Sequence, residues 1–311
     1  TNLFDESDPN KSSNAPGAVT WMSRSDWTGT IPTAPAQLTA NETLAADLAF
    51  TQYDGSLADS VEMPTLGAKN GLTLASMIGR DFDDPEWNTL LDQLTYDEMV
   101  QTITLGFHNT AAAASIGKTA TKDENGPQGL TAALTGGASA MCYTSEDVMA
   151  ATFNVDLIND VGRCIGEDCL AMGYSGLYGP GINMHRTAYS GRNFEYYAED
   201  PFIAGTICAA EVQGIQSKGV YVYLKHVALN DSETSRRGVN TWLNEQTARE
   251  IYLEVADKAI TDGGAWSVMT GFNRWGATWC GANQNLLTGF LREELGMRGM
   301  CITDFSGSSQ Y

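Results

Sequence analysis

Two stretches of the sequence place charged side chains directly after apolar runs. Asp304 follows the run 300–302, and Lys225 and His226 end the run that begins at Val220. A carboxylate can act as a nucleophile or a base, and cationic side chains can hold polar substrate groups. Singly, each has an ordinary alternative, as a helix N-cap, a snorkelling lysine or a satisfied core histidine. Their shared position at the ends of strand-like runs favours a functional site.

A third polar stretch follows the strand-like segment 175–178 and contains Arg192 and Glu195. Their spacing also suits a surface ion pair, which would contribute little to stability. Met269, Phe272 and Asn273 surround the end of a further strand-like run. Several strands that end in polar groups at one edge resemble the rim of a catalytic barrel.

Strand-like and helix-like segments alternate along the second half of the chain. We predict helices near 155–172, 201–217, 245–262 and 284–295, and strands at Ser175–Tyr178, Val220–Leu224, Ala265–Thr270 and Met300–Thr303. This alternation predicts right-handed βαβ units in a parallel α/β sheet, either open or closed. A glycine-rich dinucleotide or phosphate motif does not occur after any of these strands, which makes nucleotide binding a poor alternative.

The first part of the chain has a different composition. Residues 1–66 are rich in Ser, Thr, Asn, Pro and Ala, and we interpret them as an extended connector from a preceding domain. Residues 67–311 then form the predicted catalytic domain. Within it, Thr95 and Glu98 make a capping box, so two short helices are expected there rather than one.

Charge and composition exclude several classes of partner. The chain of 311 residues has a formal net charge of −20, which disfavours nucleic acid and anionic membranes as partners. Zinc is not expected, because the only histidines are His108, His185 and His226, far apart in sequence. Six cysteines without a C-x-x-C pair favour a reducing compartment, and we expect a cytoplasmic location, with secretion as the alternative.

Six strings together resemble the barrel domain of glycoside hydrolase family 3, in its β-glucosidase branch. They occur in the family's order over residues 70–311 and read GPGINMHR, GRNFEYYAEDP, LKHVALND, TWLNEQTAREIYL, VMTGFNRWGATWCGAN and GMCITDF. The resemblance implies a TIM-type (β/α)8 barrel. The chain stops just after Asp304, before the last strand and helix of a closed barrel, so we expect a barrel that is incomplete at its C-terminus.

The resemblance also implies an activity, that of a retaining exo-acting β-glucosidase that removes terminal non-reducing β-D-glucose from glucosides or oligosaccharides. It places the catalytic nucleophile at Asp304 and needs no metal or organic cofactor. Such an enzyme uses one ionised carboxylate for attack and one carboxylic acid to protonate the leaving oxygen. Residues expected to hold the sugar are Asn125, Arg192, Lys225, His226, Met269 and Phe272.

Two of these positions depart from the family pattern. Asn125 stands where relatives carry the Asp of an Asp-Gly-Pro motif, and Phe272 stands where many carry Tyr. The first change removes a charge-assisted hydrogen bond to the sugar, for which Asp123 or Glu124 is a possible substitute. The second change removes a hydroxyl group near the nucleophile.

The general acid/base has no candidate in this sequence. In family β-glucosidases it is a glutamate on a second domain, and we expect it here on another domain or chain. Our hypothesis is that the chain is one piece of a longer or cleaved protein. Alternatives are a non-catalytic sugar-binding barrel, a β-xylosidase of the same family, and a lyase that uses Lys225 as a Schiff base.

Overall fold

The fold is seen in a computed structural model, which describes residues 2–21, 25, 39–49 and 54–305. Its strands are β1 (Asn109–Thr110), β2 (Thr121–Asn125), β3 (Gly176–Gly181), β4 (Tyr221–Val227), β5 (Asn240–Thr241), β6 (Ser267–Thr270), β7 (Arg274–Trp275), β8 (Thr278–Trp279) and β9 (Cys301–Thr303). The main sheet has the order β1-β2-β3-β4-β6-β9, and β5, β7 and β8 form a small second sheet. In the main sheet β1 is antiparallel to β2, and all other neighbours are parallel.

Helices connect and cover these strands. They are α1 (Glu42–Asp47), α2 (Glu86–Leu91), α3 (Tyr96–Thr104), α4 (Glu146–Ala151), α5 (Val155–Met172), α6 (Pro201–Gln216), α7 (Glu245–Thr247) and α8 (Glu254–Thr261). Two π-helical segments, Ala248–Tyr252 and Asn285–Glu294, carry the connections before α8 and before β9. In the described ranges, none of the helices is long and apolar enough to cross a lipid bilayer.

Most of the predicted elements are confirmed. The helices α5 and α6 and the strands β3, β4, β6 and β9 lie within a few residues of their predicted bounds. The capping box is present. The Thr95 hydroxyl accepts from the backbone N–H of Glu98, and the Glu98 carboxylate accepts from the backbone N–H of Thr95. Strand β2 was not predicted, because its sequence TKDEN is polar and reads as a loop.

The parallel strands bury two chemically different faces. On one face Leu177, Val222, Leu224 and Val268 pack against the helices in the main hydrophobic core. Side chains of a strand alternate between faces, so the neighbouring positions point the other way. There Tyr178, Tyr223 and Met269 form a separate cluster, with Tyr221 and Ile302 at its border.

Two glycines set the close approach of the helices behind the sheet. A Cβ atom on Gly162 would lie 2.3 Å from the carbonyl oxygen of Glu211, and one on Gly214 would lie 2.2 Å from that of Asn159. Such contacts are shorter than van der Waals packing permits, so only glycine allows α5 and α6 to pack this closely.

The N-terminal segment packs on the body of the fold. Phe4 stacks on Trp275 with ring centroids 4.0 Å apart, and its backbone N–H donates to Glu245 at 2.6 Å. Asn285 donates to the carbonyl oxygen of Leu3 at 2.7 Å. Residues 1, 22–24, 26–38 and 50–53 of the predicted connector lie outside the described residues, and the predicted domain boundary at residue 66 stays a prediction.

Candidate active site

The parallel strands bring the predicted polar groups to one edge of the sheet. The register pairs Asn125 with Tyr178, Lys225 with Met269, and Thr270 with Thr303. The backbone N–H of Asp304 donates to the carbonyl oxygen of Thr270 at 3.2 Å, which extends the β6–β9 pairing by one residue. Parallel strands point the same way, so residues distant in sequence meet at this edge.

Asp304 is a buried carboxylate with one uncommitted oxygen. Its side chain is 14% exposed, and Oδ1 accepts from the backbone N–H of Phe305 at 2.7 Å. Oδ2 is buried and accepts no hydrogen bond from the residues that the structure describes. Burial raises the pKa of Asp304 above its usual value, while the Phe305 N–H and the charges of Lys225, Arg236 and Arg192 act in the opposite direction.

His226 lies between Arg192 and Asp304. Its Nε2 is 3.2 Å from Nη1 of Arg192 and 3.4 Å from Oδ2 of Asp304. Burial lowers the pKa of His226 well below its usual value, and the neighbouring cations Arg192, Lys225 and Arg236 lower it further. Both influences favour the neutral ring, and a neutral ring does not form an ion pair with Asp304.

Lys225 lies on the same face, beside β2. Its Nζ donates to Oδ1 of Asn125 at 3.4 Å and is 3.9 Å from the carboxylate of Glu195. Burial lowers the pKa of Lys225, while the carboxylates of Glu195 and Asp304 raise it and Arg192 lowers it. A buried ammonium with so few partners has donor capacity left for a ligand.

The loop before α6 holds Arg192 in place. Both oxygens of Glu195 accept from its guanidinium, through Nε at 3.1 Å and through Nη2. Nε2 of His185 contacts the carbonyl oxygens of Asn193 and Tyr196, which brace this loop from behind. Arg192 and Glu195 are only 16% and 14% exposed, so the pair is not the surface ion pair of the ordinary alternative.

Met269 and Phe272 have other surroundings. Met269 packs with Tyr178 and Tyr223 on the inner face of the sheet, next to Lys225 in register. The Phe272 ring lies beneath Arg236, whose guanidinium carbon is 4.5 Å from the ring centre. The structure thus joins Asp304, His226 and Arg192 through direct contacts. Glu195 links Arg192 to Lys225, which in turn contacts Asn125. Met269 lies next to Lys225 in register, and the Phe272 ring contacts the guanidinium groups of Arg236 and Arg237.

The two acids suggested as substitutes at the Asn125 position are already engaged. Asp123 accepts from the hydroxyl groups of Tyr221, at 2.5 Å, and Tyr223, at 3.2 Å, deeper on the inner face. Glu124 is fully buried, with Oε1 2.9 Å from Nδ1 of His108 and Oε2 bonded to Thr135. Both carboxylates therefore already have partners in the protein, and their role as substitutes stays a prediction.

Sequence reasoning did not select Asn183 as a site residue. Its side chain is 4% exposed and contacts both the backbone and the ring of His226. A polar residue between Ile182 and Met184 in an apolar stretch was the available signal. No group of three or more potential metal ligands occurs in the described part of the chain.

Comparison with known proteins identifies the family of this chain. Residues 100–310 match the model of the glycosyl hydrolase family 3 N-terminal domain. The chain belongs to glycosyl hydrolase family 3. The parallel sheet with helices packed on its outer face accords with the TIM-barrel-like α/β fold of this family 3 domain.

Individual family 3 proteins are similar over part of their length. A β-glucosidase of Rhizobium radiobacter is 35% identical over 222 residues, which are 70% of this chain and 27% of that protein. An exo-α-(1→6)-L-arabinopyranosidase of Bifidobacterium longum is 34% identical over 190 residues, 58% of this chain and 25% of that protein. The structure of β-glucosidase 3B from Thermotoga neapolitana in complex with glucose has a TM-score of 0.64 at 33% identity, covering 70% of this chain and 33% of that one.

These relatives are much longer than the region that they share with this chain. The chain spans 27% of the Rhizobium radiobacter protein and 25% of the Bifidobacterium longum protein. The strand-end residues described above lie within residues 100–310, the range matched by the family model. The similarity therefore establishes the family of the domain.

Proposed function

We propose that this chain supplies the nucleophile and the sugar pocket of a retaining exo-acting β-glucosidase, which hydrolyses terminal β-D-glucose from glucosides or oligosaccharides. The observation that carries the proposal is Oδ2 of Asp304, a buried carboxylate oxygen with no hydrogen-bond partner among the described residues. Such an oxygen is available to attack an anomeric carbon. The β-glucosidases among the relatives support this substrate class.

The neighbours of Asp304 suit the binding of a neutral sugar. Arg192 and Lys225 are cationic donors with little exposed surface, and charged donors make strong hydrogen bonds to hydroxyl groups. Asn125 can both donate and accept. We assign these three residues and His226 to the sugar hydroxyls, and Met269 and Phe272 to the apolar wall of the pocket.

The general acid is proposed to come from another domain or chain. Among the described residues, Glu195 and Glu233 are the glutamates whose contacts reach Arg192. Glu195 is bound by two nitrogens of Arg192, and Glu233 is 2.9 Å from a nitrogen of Arg236. Arginine side chains thus occupy both carboxylates, so neither is a free acid beside the proposed sugar pocket. We propose that further polypeptide likewise completes the barrel.

The identity of the sugar is a second proposal. The arabinopyranosidase of Bifidobacterium longum shows that one family member at 34% identity acts on a different sugar. Xylose and arabinopyranose lack the hydroxymethyl group of glucose, so a β-xylosidase is the closest alternative. Aryl glycosides of glucose, xylose and arabinopyranose, compared by kcat/KM, would discriminate these alternatives.

A trapping experiment tests the proposed function without the missing acid. In a fluorinated glucoside with a dinitrophenyl leaving group, that group departs without protonation. The nucleophile can therefore attack without a general acid. We expect one glycosyl unit on the intact protein, located by peptide mapping at Asp304. In Asp304→Ala no adduct should form at position 304, because alanine has no side-chain atom that can attack the anomeric carbon.

A matched control uses Asp231→Ala, since Asp231 is another buried aspartate of the strand-end loops. That variant should still be labelled at Asp304. Wild-type protein that binds the reagent but forms no adduct would favour the alternative of a non-catalytic sugar-binding barrel.

A cytoplasmic location stays a prediction, supported by six cysteines that are all free thiols.

A further inference from the structure

The side-chain amide of Asn183 contacts three atoms of His226, namely the backbone nitrogen, the backbone oxygen and Nδ1 of the ring. Oδ1 of Asn183 accepts from the His226 backbone N–H at 2.9 Å, and Nδ2 donates to the His226 carbonyl oxygen at 3.0 Å. A backbone N–H can only donate and a carbonyl oxygen can only accept, so the orientation of this amide is fixed by its partners. Oδ1 is also 3.2 Å from Nδ1 of the imidazole ring.

This arrangement assigns the proton on the ring. Because Oδ1 has no proton to give, the contact at Nδ1 is a hydrogen bond only if Nδ1 carries the proton. On the other side of the ring, Nη1 of Arg192 is 3.2 Å from Nε2. A guanidinium group can only donate, so Nε2 must present its lone pair. Both contacts select the same neutral tautomer.

The tautomer has a consequence for the proposed nucleophile. Nε2 of His226 is 3.4 Å from Oδ2 of Asp304, the oxygen without a hydrogen-bond partner among described residues. A ring protonated at Nε2 would donate to this oxygen and would oppose Arg192. The charged groups that face the ring are Arg192, Lys225, Arg236 and Asp304.

We propose that Asn183 is a positioning residue, which holds His226 as the Nδ1–H tautomer and thereby keeps Oδ2 of Asp304 free of a hydrogen-bond donor. The tautomer assignment stands on the distances alone. Its catalytic consequence rests on the proposed function. A carboxylate that accepts a further hydrogen bond is stabilised before attack, and we expect this to slow nucleophilic attack by about 10- to 100-fold.

The first test reads the tautomer directly. The chain has three histidines, so nitrogen-15 spectra of histidine-labelled protein are simple, and His108→Gln and His185→Gln assign two of the three rings. In the wild type we expect His226 with Nδ1 protonated and Nε2 unprotonated at neutral pH. An Nε2–H tautomer or a doubly protonated ring in the wild type would overturn the proposal.

Two variants test whether Asn183 is the cause. Asn183→Leu removes the acceptor at Nδ1, and we expect the ring to move to the Nε2–H tautomer. Asn183→Asp keeps the shape and the acceptor but adds a negative charge, so the second ring proton should be retained to higher pH than in the wild type. If Asn183→Leu does not fold, Asn183→Asp decides, and a wild-type titration of His226 in that variant would overturn the proposal.

The control is Asn159→Leu, which also removes an amide that donates to a backbone carbonyl, that of Ala210 at 3.0 Å. Its His226 signals should match the wild type. The second readout is the glucosyl trapping rate, expected to fall about 10- to 100-fold in Asn183→Leu with little change in reagent affinity. An unchanged trapping rate in a variant that has switched tautomer would overturn the catalytic consequence. A wild type that shows the assigned tautomer but no trapping would contradict the proposed function and leave the tautomer assignment standing.

Discussion

The two faces of the main parallel sheet use the same strands for different purposes. Toward the helices, Leu177, Val222, Leu224 and Val268 are completely buried in one continuous apolar core. Toward the inner face, Asp123, Tyr223 and Lys225 are buried too, but they carry hydroxyl, carboxylate and ammonium groups. The outer face stabilises the fold through apolar burial, whereas burying polar groups on the inner face costs some of that free energy. Neighbouring residues of one strand should therefore respond differently to substitution.

The largest expected effect on stability belongs to the outer face. Leu224→Ala removes a side chain that is fully buried in the main core and leaves a cavity. We expect a loss of about 2–5 kcal/mol in the free energy of unfolding, measured as a lower urea midpoint with an unchanged slope. The same substitution at Leu134, which is 70% exposed, should change stability by less than about 0.5 kcal/mol. Equal losses at the two leucines would contradict the view that apolar burial on the outer face supplies the stability.

The adjacent residue Lys225 should show the opposite behaviour. Lys225→Met removes the ammonium but keeps the length of the side chain, so the fold should keep most of its stability. We expect the rate of glucosyl trapping at Asp304 to fall by about 10²–10³-fold, as when a preorganised donor is lost. Lys218→Met, which breaks an ion pair with Glu167 near the helices, is the matched control with unchanged trapping.

The same variant has a defined pH signature. Burial raises the pKa of Asp304, and the charge of Lys225 is one of the influences that lower it. Without that charge the pKa of Asp304 rises further, and attack requires the ionised form. The acid limb of the trapping rate should therefore move to higher pH in Lys225→Met. A limb that stays in place would mean that Lys225 and Asp304 are not electrostatically coupled.

The smallest effect is expected at a carboxyl group that interrupts the apolar side. Glu211 lies on α6, is fully buried, and accepts from the hydroxyl of Tyr197 at 2.6 Å. Burial raises its pKa from 4.5 to about 7. Between these values the unfolded chain releases the proton more readily than the folded one, so this group makes stability fall as pH rises.

Glu211→Gln removes that ionisation and keeps an acceptor for Tyr197. The variant should gain on the wild type as pH rises from about 4.5 to about 7, by roughly 1–3 kcal/mol at the upper end. Urea unfolding at several pH values would measure the difference. Glu293→Gln, at an exposed glutamate, is the control and should stay within about 0.5 kcal/mol of the wild type. A gain that is the same at low and high pH would rule out ionisation as its cause.

The sequence by itself determined much of the outer face. Strands β4, β6 and β9 and helices α5 and α6 were predictable because apolar periodicity and capping residues act locally. The motifs that contain Lys225, His226 and Asp304 also identified the family. Strand β2 was not predictable, since Asp123 is a strand residue only because Tyr221 and Tyr223, on β4, satisfy its carboxylate.

Only the tertiary structure decided how the site residues bear on each other. Asn183 and His226 are separated by 43 positions, and Lys225 and Asn125 by 100, so no local pattern predicts their hydrogen bonds. Parallel pairing brings these positions together, and burial then shifts the pKa values of Lys225, His226 and Asp304. The sequence supplied the kinds of chemical group, and the packing of distant segments decided which oxygen of Asp304 has no hydrogen-bond partner among the described residues.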